Sequence, residues 1–81
     1  MNYRHDILRA QRRDTGESYE LIASKARISV NATWEAINGK TDPRASTIKK
    51  LFRVMGLDPR VAFDFDLKVT DFRRAVNQSA R

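Results

Sequence analysis

The chain has 81 residues, of which 41% are hydrophobic, and it contains no cysteine and one histidine. This length and composition indicate one small domain and exclude a wholly disordered chain, a disulfide framework, a thiolate metal site and a His-rich metal cluster. The formal net charge of +6 favours a polyanionic partner, either nucleic acid or an acidic membrane surface.

The distribution of charge and hydropathy narrows these options. Residues 1–57 carry eleven Lys/Arg and six Asp/Glu, a net +5, whereas residues 58–81 carry five and four, a net +1. No apolar run reaches membrane-spanning length, and the N-terminus lacks the apolar core of a signal peptide. We therefore expect a cytoplasmic protein whose positive charge lies mainly before residue 58.

The N-terminal region predicts two helices. Residues 4–14 hold strong helix formers and no breaker, and Thr15-Gly16 ends this first helix. Ser18 is a good N-cap for a second helix over residues 19–26, because its hydroxyl accepts from an otherwise unpaired backbone N–H. The expected apolar faces comprise Ile7, Leu8 and Gln11 in the first helix and Leu21, Ile22 and Ala26 in the second.

Two further helices follow. Arg27-Ile28-Ser29 is the predicted turn, and Ser29 caps a third helix over residues 30–38, which Asn38-Gly39 ends. After a loop at Thr41-Asp42-Pro43, the fourth helix spans about 45–55. The inward positions are expected to be Thr33, Ala36 and Ile37 in the third helix and Ile48, Leu51, Phe52 and Met55 in the fourth.

The sequence leaves the C-terminal segment ambiguous. Asp58-Pro59 predicts a short helix through Phe63. The alternation of apolar residues favours a half-buried strand instead; the alternating residues are Val61, Phe63, Phe65, Leu67 and Val69. Thr70 or Asp71 is a cap for another short helix over 72–78, and residues 77–81 are expected to fray.

The two short helices, their tight turn and the following Gly-Lys are spaced as in a helix-turn-helix, which places one helix in the DNA major groove. The order of these elements resembles the Cro/repressor-type helix-turn-helix proteins, the XRE family, over about residues 7–57. The matching positions are Gly16, Ser18, Ile22-Ala23, Ile28-Ser29, Asn38-Gly39-Lys40, Pro43, Thr47, Leu51 and Met55-Gly56-Leu57.

The resemblance implies an all-α, compact, lambda-repressor-like bundle of four or five helices, which usually binds operator DNA as a dimer. Residues 1–57 would form the DNA-binding domain, and residues 58–81 an extension that forms a strand or short helix. Carried over from the family, the base-reading positions are Val30, Asn31, Ala32, Trp34 and Glu35. The positions that resemble phosphate-binding residues are Arg12, Ser18, Tyr19, Asn38, Lys40 and Arg44.

Two departures from the family pattern have consequences. The acidic partner that such proteins often provide for Arg12 is replaced by Ile37, which leaves Arg12 available to phosphate. Arg27 occupies the turn position that is usually glycine. If the backbone there has a positive φ, arginine costs on the order of 1 kcal/mol.

The chemistry of the third helix suits base recognition. Asn31 can bond an adenine edge, Glu35 can accept from cytosine N4, and Val30 and Ala32 can touch a thymine methyl. The alternatives are that Asn31 is only a first-turn capping residue and that Glu35 is solvated or paired with a basic neighbour. Trp34 either leans on the DNA backbone or packs on the tail.

One small monomer offers few base contacts, so useful specificity predicts a homodimer on two half-sites about one helical turn apart. The predicted dimer surface is the apolar stripe Val61, Phe63, Phe65, Leu67 and Val69. The function we expect is a sequence-specific regulator of double-stranded DNA, a repressor of bacterial, phage or mobile-element origin.

Two rival functions stay open at this point. One is an antitoxin-like DNA-binding protein whose tail grips a protein partner, and the other is a recombination or architectural DNA-binding factor. Catalysis is not expected, since His5 stands alone and Asp64 and Asp66 have no nucleophile or metal partner near them in sequence. No cofactor and no metal are expected either.

Overall fold

The computed structural model describes residues 2–71, in which four α-helices and the 3₁₀ helix that follows them surround a common core, and a further 3₁₀ turn covers residues 69–71. The elements are α1 (His5–Thr15), α2 (Tyr19–Ala26), α3 (Val30–Ile37), α4 (Ala45–Val54) and a 3₁₀ helix (Pro59–Phe63). Within the described range no strand forms, so the chain is an all-α bundle with a tail. The described part also holds no helix long and apolar enough to cross a membrane.

The capping residues predicted from the sequence begin α2 and α3. The Ser18 hydroxyl accepts from the Leu21 N–H at 3.1 Å and starts α2, and the Ser29 hydroxyl accepts from the Ala32 N–H at 3.0 Å and starts α3. The turn between them places Arg27 at φ +57°, in the left-handed region. The condition stated for this arginine is therefore met, and the cost of on the order of 1 kcal/mol applies.

The core is built from the apolar face of every helix. Fully or almost fully buried residues are Ile7, Leu8, Ile22, Ala26, Ala36, Ile37, Ile48, Leu51, Phe52, Met55, Leu57 and Ala62. The predicted stripe of α4 is confirmed. The prediction for Leu21 is wrong, since its side chain is 46% exposed. In the short α2 the buried positions are Ile22, Ala23 and Ala26, and Leu21 precedes this stripe by one residue, about 100° around the helix.

The segment after α4, for which the sequence allowed either a short helix or a strand, begins with a 3₁₀ helix. Asp58 caps the 3₁₀ helix by accepting from the Arg60 N–H at 2.9 Å. The predicted strand over residues 61–69 is wrong, because Pro59 to Phe63 form helical turns that pack on α4 and bury Ala62 in the core. The predicted short helix over 72–78 and the predicted fraying of 77–81 lie outside the described residues.

Candidate nucleic-acid interface

Helix α3 presents one face to solvent and buries the other. Thr33, Ala36 and Ile37 are buried, which turns the opposite side outward. On that side Val30 is 44% and Trp34 is 43% exposed. Asn31 is exposed as well, while Ala32 and Glu35 are half-buried. All five predicted base-reading residues thus keep accessible surface, and four of them lie one turn apart in two pairs, at 30 and 34 and at 31 and 35.

The second of these pairs is joined by a hydrogen bond. The Asn31 side-chain N–H donates to Glu35 Oε1 across 3.4 Å, a long contact on an exposed helix surface. Since the Asn31 amide has two N–H donors and one carbonyl oxygen, one donor and the oxygen remain for a ligand. Glu35 can therefore orient Asn31 as well as accept a hydrogen bond itself. The cap role belongs to Ser29, so the alternative that Asn31 is the capping residue is not what the structure shows.

Three predicted phosphate-binding residues from three different parts of the chain meet beside α3. The Arg12 guanidinium carbon lies 4.0 Å from the centre of the Tyr19 ring. The Asn38 side-chain N–H donates to the Tyr19 hydroxyl at 3.2 Å and also to the Trp34 carbonyl at 2.9 Å. We call Arg12, Tyr19 and Asn38 the Arg12 cluster. It connects α1, the first residue of α2 and the residue that ends α3.

The Arg12 cluster contains one unsatisfied donor. Arg12 Nε is buried and has no hydrogen-bond partner among residues 2–71. A buried N–H without a partner is rare in folded proteins and calls for an explanation, such as a bound water or ion. Stacking uses the flat face of the guanidinium and leaves the terminal N–H groups, which lie in its plane, to an acceptor.

The remaining phosphate-binding candidates surround α3. Ser18 is exposed, and its hydroxyl is already engaged in capping α2. Lys40 and Arg44 are exposed, and the Lys40 backbone N–H donates to the Glu35 carbonyl at 2.8 Å. Lys40 is thereby held directly after α3, whereas Arg44 is the residue that begins α4.

The predicted dimer residues do not form a single stripe. Val61, Phe63 and Leu67 are half-buried and pack against the core of their own chain. Phe65 is 59% and Val69 is 38% exposed. A half-buried strand would have placed all five on one face, but the helical turns divide them between the core and the solvent.

Nothing in the sequence indicated two residues that make long-range contacts, one to α3 and one to the tail. Tyr3 is buried, and its hydroxyl donates to the Ala36 carbonyl of α3 at 2.6 Å. Burial raises the pKa of Tyr3 above its usual value, and nearby Asp42 adds to the shift. No short-range pattern marks Tyr3, because its partner is 33 residues away.

Arg4 is the second missed residue, and it is buried despite its charge. Its guanidinium pairs with Asp6 through two hydrogen bonds of 3.0 Å and donates to the carbonyls of Asp64 and Leu67. Its backbone N–H donates to the Ala62 carbonyl at 2.8 Å. The segment before α1 thus holds the tail in place, an arrangement that the polar character of Arg4 gives no reason to expect.

Neither a metal site in the described residues nor a related protein indicates a function. Residues 2–71 hold no group of three His, Cys, Asp or Glu side chains that could bind a metal ion. No protein-family model matches the chain, and no curated protein or solved structure matches it significantly. The resemblance to the Cro/repressor-type proteins therefore stays a prediction, and functional inference depends on the geometry of α3 and its surroundings.

Proposed function

We propose that this protein is a sequence-specific, DNA-binding transcriptional regulator that inserts α3 into the major groove. One observation carries the proposal: α3 exposes Val30, Asn31 and Trp34 while its other face is fixed in the core. A major groove about 12 Å wide admits one α-helix. A helix that is fixed in the core on one side and exposed on the other can be inserted in this way.

The surroundings of α3 support contact with the DNA backbone. The Arg12 cluster lies on one side, and Lys40 and Arg44 follow α3 in the chain. Cations at these positions would displace counterions from phosphates and add affinity that is independent of sequence. The net +5 of residues 1–57 acts in the same direction and would steer the protein toward DNA.

Sequence choice would come from Asn31 with Glu35 beside it. Asn31 can donate to adenine N7 with its second N–H and accept from adenine N6 with its carbonyl oxygen, while Glu35 holds the first N–H. Each good base contact discriminates by about 1–3 kcal/mol. Because one α3 provides few such contacts, a homodimer on two half-sites follows from the proposal.

Repression by steric exclusion is the simplest mechanism for a protein of this size. Occupying an operator would block the polymerase, and no catalytic step or cofactor is involved. Such a protein would act in the cytoplasm of a bacterium, where it would serve the cell, a phage or a mobile element.

The test is selection of a binding site from random double-stranded DNA, followed by gel-shift titration of the selected site. We expect an enriched sequence bound more tightly than scrambled DNA by a factor of at least 10³, the lower end for specific binders. Asn31→Ala and Glu35→Ala should change the preferred bases at one position. Absence of any enriched sequence would overturn the proposal.

Two lysine variants distinguish a phosphate contact beside α3 from a general effect of positive charge on DNA affinity. Lys40→Ala should weaken binding to all sequences and reduce the slope of log affinity against log salt by about 1. Lys50 is an equally exposed lysine on α4, so Lys50→Ala removes the same charge from another element and should leave that slope nearly unchanged. Equal effects of the two variants would show that charge alone, and not a contact beside α3, determines affinity.

A further inference from the structure

A basic groove lies between α4 and the 3₁₀ helix. It has a volume of about 370 Å³ and is lined by Lys49, Arg53, Pro59, Arg60 and Phe63. Pro59 and Phe63 provide apolar surface, and the other three residues are cationic. Arg60 already pairs with Asp58 at 2.7 Å, which leaves Lys49 and Arg53 as the cations available to an incoming group. The proposed DNA contact uses none of these residues.

The same chain presents a segment with complementary chemistry. Phe65 is 59% exposed, and exposed Asp64 and Asp66 flank it. An aromatic side chain between two carboxylates matches a groove that has an apolar floor and a cationic rim. Large exposed aromatics of this kind are typical anchors of protein interfaces.

This acidic segment is held in a fixed conformation. Arg4 donates to the backbone carbonyl of Asp64 at 2.5 Å and to that of Leu67, and its guanidinium lies 5.9 Å from the Phe65 ring centre. The Asp66 backbone N–H donates to Asp64 Oδ1 at 3.1 Å. Less conformational entropy is lost when a preformed segment binds than when a flexible one does.

The segment does not fill the groove of its own chain. Phe65 lines a separate cleft together with Tyr3 and His5, whereas Phe63 lines the groove. The C-terminal sequence of this chain does not suit the groove either, since residues 72–81 contain three arginines and no acidic residue. Charge complementarity therefore favours the segment Asp64–Asp66 of another molecule over these two segments.

We propose that the groove receives Asp64, Phe65 and Asp66 of a second copy of this chain. Phe65 of one copy contacts Pro59 and Phe63 of the other, Asp66 pairs with Arg53, and Asp64 pairs with Lys49. In a dimer with a two-fold axis this contact is made twice and the assembly is closed. The proposal does not depend on DNA binding.

Sedimentation equilibrium of the full chain without DNA tests this contact over a range of concentrations. Phe65→Ala should weaken association. The charge reversals Arg53→Glu and Asp66→Lys should each lower the association constant by about tenfold or more. The double variant should recover most of the loss because the pair is restored with reversed sign. Lys50→Glu makes the same charge change as Arg53→Glu on an exposed α4 residue outside the groove and should have little effect.

Three results would overturn the proposal: a monomer at every concentration, equal loss from Arg53→Glu and Lys50→Glu, or no recovery in the double variant. Circular dichroism of each variant checks that the helices are retained. Because the measurement contains no DNA, a failure here leaves the function of α3 untouched, and site selection tests that function independently.

Discussion

Replacing Gly39 by alanine should destabilise the protein through two separable effects. Gly39 follows α3 at φ +68°, in the left-handed region. A Cβ at this position would lie 2.7 Å from His5 Nε2 and 2.8 Å from His5 Cε1. Gly16 is a matched control within the same chain, because its φ is +72° and a Cβ there would have no atom within 4 Å among the described residues.

The expected magnitudes follow from these distances. The left-handed backbone costs an alanine about 1 kcal/mol, and this is the whole effect expected for Gly16→Ala. At Gly39 the imidazole of the half-buried His5 must also retreat by roughly 1 Å, which adds up to about 1–3 kcal/mol if the ring is held by its neighbours. At about 4–8 °C per kcal/mol, a total of about 2 kcal/mol would lower Tm by roughly 8–16 °C.

The assay is denaturant unfolding followed by circular dichroism, with the His5→Ala and His5→Ala/Gly39→Ala variants included. Removing the imidazole should reduce the cost of Gly39→Ala to that of Gly16→Ala, about 1 kcal/mol. If Gly39→Ala costs no more than Gly16→Ala in the presence of His5, the close approach of α1 to the end of α3 does not constrain the fold as argued.

Three further predictions concern other contacts. Tyr3→Phe removes the hydroxyl that donates to the Ala36 carbonyl at 2.6 Å and should lower the free energy of unfolding by about 1 kcal/mol, as measured by urea titration. The hydrogen bond from Arg4 lowers the pKa of Asp6 below its usual value. The stability that the pair contributes should be complete above the unfolded pKa of about 3.9 and be lost as the pH falls through the lower folded pKa. Asp6→Asn should remove this contribution to the fall in unfolding free energy at acid pH. An unchanged dependence of the unfolding free energy on pH in that variant would contradict the assignment to Asp6. Arg27→Gly should raise the free energy of unfolding by up to about 1 kcal/mol, since arginine occupies φ +57°. Arg27→Ala should not raise it, because alanine has the same difficulty at a positive φ. Equal effects of the two variants would show that the lost charge, and not the backbone, causes the change.

The helix-turn-helix segment could be predicted because its signals are local. Ser18 and Ser29 cap the helices that follow them, and a cap depends on atoms within three residues. Ile48, Leu51 and Phe52 recur at helical spacing and are buried together. The positive φ at Arg27 was not predicted, because the sequence raised it only as a condition, and the structure supplies it.

Residue patterns alone could not predict that the three side chains of the Arg12 cluster lie in contact. The family resemblance suggested that Arg12, Tyr19 and Asn38 all contact phosphate, but it gave no contact among them. The stack of Arg12 on Tyr19 and the hydrogen bond from Asn38 depend on how three elements pack. The function that they suggest stays a proposal.

The amino-acid sequence by itself determined where the helices begin and end and which face of α3 turns outward, because caps and apolar periodicity act over a few residues. Only the tertiary structure decided whether the tail is a strand or a helical turn. At short range the alternation from Val61 to Val69 favours a strand, whereas Asp58-Pro59 favours a helical turn. The 3₁₀ helix wins because Ala62 fits the core and Arg4, about 60 residues earlier, donates to the tail carbonyls, hydrogen bonds that no local pattern encodes.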